Sequence, residues 1–359
     1  MADFKLSVQQ LIGLTVFSSY FSIILSLFYV IVRSFRIDAT SKAQGSGSRS
    51  QRITYAVLTT ASFAHTWYYM FAFLRWSFLD HEHATGVTST GAPRLSNIAD
   101  WLWDTGLFEQ AWNAVCIRPH NWWWSEHLCL FTVSFWTVFL LYEGRRRNVK
   151  HIWAYMLFGQ LVAISVACNL FFLALVLRAD PPISRPKTKL PKLDTKTVPF
   201  LLWVSVAISL VTILLVPHSV AHNYFLFNLL VMHSLPFVPL LSSEALLSSA
   251  FLRIRLRTLF GITAVSAVSA RIVTTSTLLA SLPPSIRSSP REVIRFLWEV
   301  LHSHPAQSSI GWDVIWATIS FLVWAVTGSR RTMFGRHLSF FSLSGIVSVG
   351  VVVIALAAR

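Results

Sequence analysis

The sequence predicts an all-α integral membrane protein, a bundle of eight or nine transmembrane helices, and three observations carry that expectation. Of the 359 residues, 54% are hydrophobic and 13% charged, too apolar for an ordinary soluble domain. The apolar residues cluster into runs near the ~20 helical residues that cross an apolar layer of roughly 30 Å. Most Lys and Arg residues fall in short segments between those runs, which is how a cation-rich chain orients in a bilayer. A net charge of +15 would suggest nucleic acid in a soluble protein. No zinc-finger spacing and no aromatic-and-basic strand pattern accompanies it here, so no nucleic-acid partner is expected.

Nine runs qualify as spans: 8–32, 53–79, 122–142, 152–177, 198–216, 223–241, 259–280, 311–326 and 338–358. They are helices because a spanning segment must satisfy its own backbone hydrogen bonds, and they are too long for porin-like strands. The first is too long for the apolar part of a signal peptide and meets no convincing small-residue cleavage site. It reads as a retained span that also targets the chain. Residues 33–52 form a Gly-, Ser- and Arg-containing linker expected on the cytosolic side, with Arg33, Arg36, Lys42, Arg49 and Arg52. Residues 80–121 form an acidic and aromatic loop expected on the opposite side, with Asp80, Glu82, Asp100, Asp104 and Glu109 against Arg94 and Arg118.

Arg145, Arg146, Arg147 and Lys150 return the chain to the cytosolic side, but the Pro- and Lys-rich loop 178–197 is basic as well. One apparent span, the fourth, separates them. Either that run is not a simple crossing or the loop lies on the far side despite its charge. Two later clusters, Arg253 with Arg255 and Arg257, and Arg330 with Arg331 and Arg336, agree with a cytosolic 178–197. Residues 290–301, with Val293, Ile294, Leu297 and Trp298, have the pattern of a short interfacial helix. No internal repeat is visible, and Cys116, Cys129 and Cys168 are an odd, scattered set that does not indicate a disulfide framework, a Cys116–Cys129 bond staying open.

Acids inside or beside apolar runs are the candidates for chemistry. The stretch Asp100 to Trp112 combines Asp100, Asp104 and Glu109 with Trp101, Phe108 and Trp112. Its plainer reading is an amphipathic helix with interfacial tryptophans. Glu126 lies about one turn inside the third run, three and four residues after Trp123 and Trp122. A carboxyl group there must face protein or water. Kept neutral it can donate a proton, and tryptophan faces can stabilise a developing cation; alternatively it is an interfacial carboxylate paired with a nearby base. Asp313, near the start of the eighth run, is a second intramembrane acid or a helix cap. Glu143 beside Arg145 to Arg147 is read as an ion pair. His65, Tyr68, Tyr69, Gln160, Asn169, Asn223 and Asn228 could orient a substrate oxygen or bond between helices.

No Gly-rich phosphate loop, no His-Glu-x-x-His motif and no Asp-rich diphosphate motif occurs, and the His81-Glu82-His83 and His302/His304 pairs lack zinc spacing. No metal is therefore expected. The segments Trp103-Asp104-Thr105-Gly106-Leu107-Phe108-Glu109, Trp123-Trp124-Ser125-Glu126, Tyr142-Glu143-Gly144-Arg145-Arg146 and, more weakly, Gly311-Trp312-Asp313 resemble the membrane-bound terpene cyclases of fungal meroterpenoid pathways, of the ascochlorin, ascofuranone and macrophorin type. That resemblance implies an isomerase or lyase of secondary metabolism in the endoplasmic reticulum membrane. A carboxylic acid would protonate a terminal epoxide or alkene of a farnesylated aromatic or quinone-like substrate and direct carbocation cyclisation, with no cofactor.

The resemblance leaves Glu126, Asp104, Glu109 and Asp313 as catalytic candidates, and Trp122, Trp123, His65, Tyr68, Tyr69, Asn169 and Asn228 as candidates for the substrate pocket. The chain is longer than the seven-span fungal cyclases, so their acid assignments do not transfer. The expected partners are a hydrophobic prenylated small molecule and membrane lipids. The competing expectation is a transporter or noncatalytic lipid-binding membrane protein.

Overall fold

Capping chemistry at Ser48 starts one of the longest helices and illustrates how local sequence sets the elements. Ser48 Oγ accepts the Gln51 backbone N–H at 3.2 Å while the Gln51 side chain accepts the Ser48 N–H at 2.9 Å, a reciprocal box that satisfies two otherwise orphaned donors. The helix ends at Gly86, whose φ of 69° suits a residue without Cβ. The computed structural model describes residues 6–39, 48–86, 94–178, 197–243, 246–247 and 251–327. The ninth candidate run, most of the 178–197 loop and residues 40–47 of the first linker lie outside them.

The described chain is largely α-helical. In order it forms α1 (Val8–Ala39), α2 (Arg49–Thr85), α3 (Leu95–Asp104), α4 (Leu107–Ala114) and α5 (Pro119–Leu130). A π-helical segment (Phe131–Trp136) then leads directly into α6 (Thr137–Arg146), α7 (Ile152–Leu161) and α8 (Ile164–Leu177). After β1 (Thr197–Val198) come α9 (Phe200–Ser219), α10 (Phe225–Ser234), α11 (Phe237–Leu241), β2 (Ile254–Arg255), α12 (Leu256–Ser281), α13 (Pro284–Arg287), α14 (Pro290–His302) and α15 (Pro305–Thr327). Among the described residues five helices are long and apolar enough to cross a membrane: Val8–Phe35 within α1, the continuous Pro119–Arg146, α9, α12 and α15. The acidic segment 80–121 is largely helical, because Trp101, Leu102 and Leu107 bury one face of α3 and α4 against the bundle.

The fourth apolar run is not one helix. It breaks at Val162 and Ala163, where α7 ends and α8 begins. A Cβ placed on Gly159 would sit 3.1 Å from the Ala167 Cβ, whereas eight residues of continuous helix would separate them by about 12 Å. The chain therefore folds back on itself. The two ends of this hairpin meet, since Arg147 Nη1 donates to the Leu175 carbonyl at 2.9 Å and Arg178 Nη1 to the Arg147 carbonyl at 3.2 Å.

The same end of the bundle collects other basic groups. Arg145 Nη2 donates to the Ser242 carbonyl at 3.1 Å, Tyr142 to the Thr197 carbonyl at 2.8 Å, and Arg253 Nε to Thr197 Oγ1 at 2.8 Å. The antiparallel β1–β2 pair lies here too, matching Thr197 with Arg255 and Val198 with Ile254. Buried Glu143 pairs with Arg146 at 2.9 Å. At the opposite end His81 lies 3.0 Å from Asp104, and His304 packs edge-on to Trp76 with ring centroids 4.3 Å apart. Helix α15 runs antiparallel to α2: Tyr55 Oη and Thr327 Oγ1 are 2.9 Å apart near one end, and Ser309 Oγ donates to the Thr66 carbonyl at 3.4 Å farther along. Between α2, α6, α8 and α15 the core is aromatic, with Phe172 stacked on Trp324 at 4.6 Å and Phe321 edge-on to Phe172 at 4.8 Å.

Candidate functional site

Three helices depart from regular α geometry around one cavity. The hairpin tip, residues Gly159 to Ile164, lines it. So do Thr132 and Val133 of the π segment, where the Thr137 N–H reaches back five residues to the Thr132 carbonyl. Pro236 lines it as well, standing at the junction between α10 and α11. Proline supplies no N–H for the carbonyl four residues earlier, here that of Met232, which also lines the cavity. Irregular backbone inside an apolar layer survives where it is buried in protein or borders a cavity, and π segments concentrate at functional sites.

The cavity has a volume of about 310 Å³, at the lower end of the ~300–1,000 Å³ typical of small-molecule pockets. Its walls are apolar and rich in aromatic rings: Phe17, Tyr20 and Phe21 from α1, Phe108 and Trp112 from α4, and Trp122 from α5. Tyr20 donates to the Leu161 carbonyl at the hairpin tip over 2.5 Å, fixing α1 at the level of the chain reversal. Polar groups are few. Asp313, Gln160, His233, Ser125, Thr132 and Ser309 reach it, together with the free thiols Cys116 and Cys129.

Asp313 is held in place by both carboxyl oxygens. Oδ2 accepts the Ile164 N–H and Oδ1 the Ser165 N–H, each at 2.8 Å. These are the first two residues of α8, so a side chain from α15 caps a helix about 150 residues away in sequence and simultaneously borders the cavity. A carboxyl oxygen has two lone pairs, so one that accepts a single N–H can also carry a proton or face a cation.

The other sequence candidates are placed elsewhere. Glu126 is buried but does not line the cavity. Its Oε2 lies 3.0 Å from Arg271 Nη1 and its Oε1 accepts from Thr274 at 2.6 Å. Arg271 in turn donates to the Trp123 carbonyl at 2.6 Å and lies over the Trp123 ring, 4.5 Å from its centroid. Trp123 Nε1 donates to Thr275 at 3.1 Å. The set joins α5 to α12 as one buried, hydrogen-bonded ion pair.

Asp104, exposed, partners His81, and Glu109 is exposed in the first turn of α4. His65 Nδ1 accepts the Trp316 indole N–H at 3.1 Å, with the Trp312 ring 4.2 Å away and Tyr69 beside it. Tyr68 is exposed. Asn169 donates to Ser62 at 3.5 Å and Asn228 to the Thr212 carbonyl at 3.0 Å. Of the sequence candidates for catalysis and the pocket, the cavity brings together Asp313 and Trp122.

His233 was not anticipated. It stands on α10 with Nδ1 2.7 Å from the Leu229 carbonyl, its ring stacked on Trp112 at 5.6 Å and 21°. Gln160 Nε2 donates to the His233 carbonyl at 3.0 Å. A histidine and a glutamine in separate apolar runs were the available signal, although their meeting could not be read from spacing. Among the described residues no three His, Cys, Asp or Glu side chains form a metal-holding group.

A family described as protein of unknown function DUF2834 matches residues 86–176. That stretch covers α3 through nearly all of α8 and contributes more than half of the residues around the cavity. No curated protein and no solved structure matches the chain.

Proposed function

We propose that the chain is a membrane-bound terpene cyclase whose reaction chamber is this cavity, and that Asp313 is the acid that starts the reaction. The carrying observation is a doubly tethered carboxyl group on the wall of an aromatic cavity at which three helical runs depart from regular α geometry. Asp313 transfers its proton to the terminal epoxide oxygen, or alkene carbon, of a farnesyl chain joined to an aromatic or quinone-like group. The epoxide C–O bond breaks, or the alkene π pair takes up the proton, and a carbocation forms. Successive double bonds attack it to close rings, and loss of a proton ends the sequence, so the product is an isomer of the substrate. The N–H groups of Ile164 and Ser165 stabilise the carboxylate left behind. The faces of Tyr20, Phe21, Phe108, Trp112 and Trp122 stabilise the migrating cation, and apolar walls keep water from it.

The membrane arrangement within this proposal has seven crossings among the described residues: α1, α2, the Pro119–Arg146 helix, α9, α10 with α11, α12 and α15. The α7–α8 hairpin enters from the basic side and returns to it. Its first arm has ten residues, about 15 Å of helix and half of an apolar layer of roughly 30 Å. The cationic end is cytosolic by the positive-inside tendency, the ninth run adds a crossing beyond the described residues, and the membrane is that of the endoplasmic reticulum.

One observation favours a transporter or noncatalytic lipid-binding protein instead: broken helices with an N-terminus at a central cavity are a transporter device for holding anions. Here Asp313 occupies that terminus, which leaves little reason for an anionic ligand. Incubating membranes that contain the protein with linear and epoxidised farnesyl-aromatic substrates, without cofactor, separates the two. Ring-containing products of unchanged mass are expected; recovery of every substrate unaltered from folded protein contradicts the proposal.

A further inference from the structure

His233 lines the cavity from α10, on a wall separate from that of Asp313 on α15, and the inference drawn from its placement rests on the cyclase proposal. A carbonyl oxygen only accepts, so the 2.7 Å contact with Leu229 assigns the proton to His233 Nδ1. That leaves Nε2 as the ring atom available for exchange. Three supports fix the ring. The Leu229 carbonyl holds one edge, Trp112 stacks on its face, and Gln160 ties its backbone to the end of α7. Trp112, Gln160 and His233 all line the cavity.

The hairpin tip organises the pair of titratable groups. Residues at the start of α8 hold Asp313, while Gln160, at the end of α7, holds His233. The two groups therefore flank one chain reversal, on walls contributed by α15 and α10. A polyene folded in the cavity can meet the acid with its terminal epoxide or alkene and the imidazole with the carbon where the last cation forms.

We propose that His233 Nε2 is the proton acceptor that ends the cyclisation. The C–H bond next to the final cationic carbon breaks, its electron pair becomes the new C=C bond, and the proton passes to Nε2. Asp313 has then lost one proton, His233 has gained one, and the substrate is isomerised. The imidazolium stacked on Trp112 is stabilised by the indole face. Exchange with solvent between turnovers returns the proton balance, and no oxidant, reductant or co-substrate is needed.

Two variants test the assignment in native membranes. His233→Asn keeps a donor for the Leu229 carbonyl, and His233→Phe keeps the ring against Trp112, so each preserves one native contact while removing Nε2. Substrate consumption and product structure are measured together. Formation of the wild-type alkene is expected to fall by ~100-fold or more, with the missing product replaced by alkene regioisomers or by alcohols heavier by one water. A role in cavity shape alone would give different product ratios in the two variants, Asn being smaller than His and Phe larger, whereas loss of the acceptor removes the same alkene in both. An unchanged product ratio in both variants overturns the assignment while leaving the cyclase proposal intact. Absence of any isomer from the wild-type protein overturns both.

Discussion

Asp313 and Glu126 are both buried carboxyl groups, yet their surroundings give them different roles. Asp313 holds two backbone N–H groups and borders the cavity; Asp313→Asn can accept only one of them. The variant is expected to lose turnover by ~100-fold or more and to lose about 1 kcal/mol of stability as a weakened helix cap, seen as a lower melting temperature in detergent. Glu126 instead closes an ion pair with Arg271. Removing one partner of such a pair strands the other charge, so Glu126→Ala is expected to cost about 3–5 kcal/mol. Replacing both, as Glu126→Leu with Arg271→Met, should recover most of that loss. Thermal melting of the single and double variants checks this, and a double variant no more stable than Glu126→Ala would contradict it.

At the level of elements, the α7–α8 hairpin depends on close approach. Gly159 has Ile164 Cδ1 at 3.0 Å and Ala167 Cβ at 3.1 Å from where its Cβ would stand. Gly159→Val is expected to splay the arms and cost about 1–3 kcal/mol, again read by melting, and to disturb the cavity because the tip forms part of its wall. Little of this was legible beforehand. Residues 152–177 contain no charged residue and no proline, so composition alone favours one long helix. The conflict between the Arg145 cluster and the basic 178–197 loop was the clue, and the Arg147–Arg178 contact explains it: both ends of the run emerge together. In contrast, the interfacial pattern of 290–301 was plain in the sequence and corresponds to α14, whereas the sixth run, expected as one span, breaks between α10 and α11 at Pro236.

For the whole molecule, the helical membrane class followed from run length and composition, because backbone hydrogen bonding leaves apolar chains few alternatives. The site was legible only in part. Asp313 stood out as an acid in an apolar run, whereas its partners Ile164 and Ser165 are neutral residues joined to it through backbone atoms. Arg271 was an overlooked signal, a cation inside the seventh run that required a partner. The topology makes its own prediction. Cysteines introduced at His151 and Ser243, with Cys116, Cys129 and Cys168 replaced, should react with an impermeant reagent from the same membrane side, and one at Ser288 from the opposite side. Opposite reactivity of the first two would show that the hairpin crosses.

The central claim is that a carboxyl group in the cavity, not the buried ion pair, performs the chemistry. Its most direct test is turnover of an epoxidised farnesyl-aromatic substrate by membranes containing wild-type protein, Asp313→Asn or Glu126→Gln, normalised to folded protein and without cofactor. Wild-type and Glu126→Gln should yield the cyclised isomer, with Asp313→Asn at about 1% of wild type or less. Full turnover by Asp313→Asn would contradict the account.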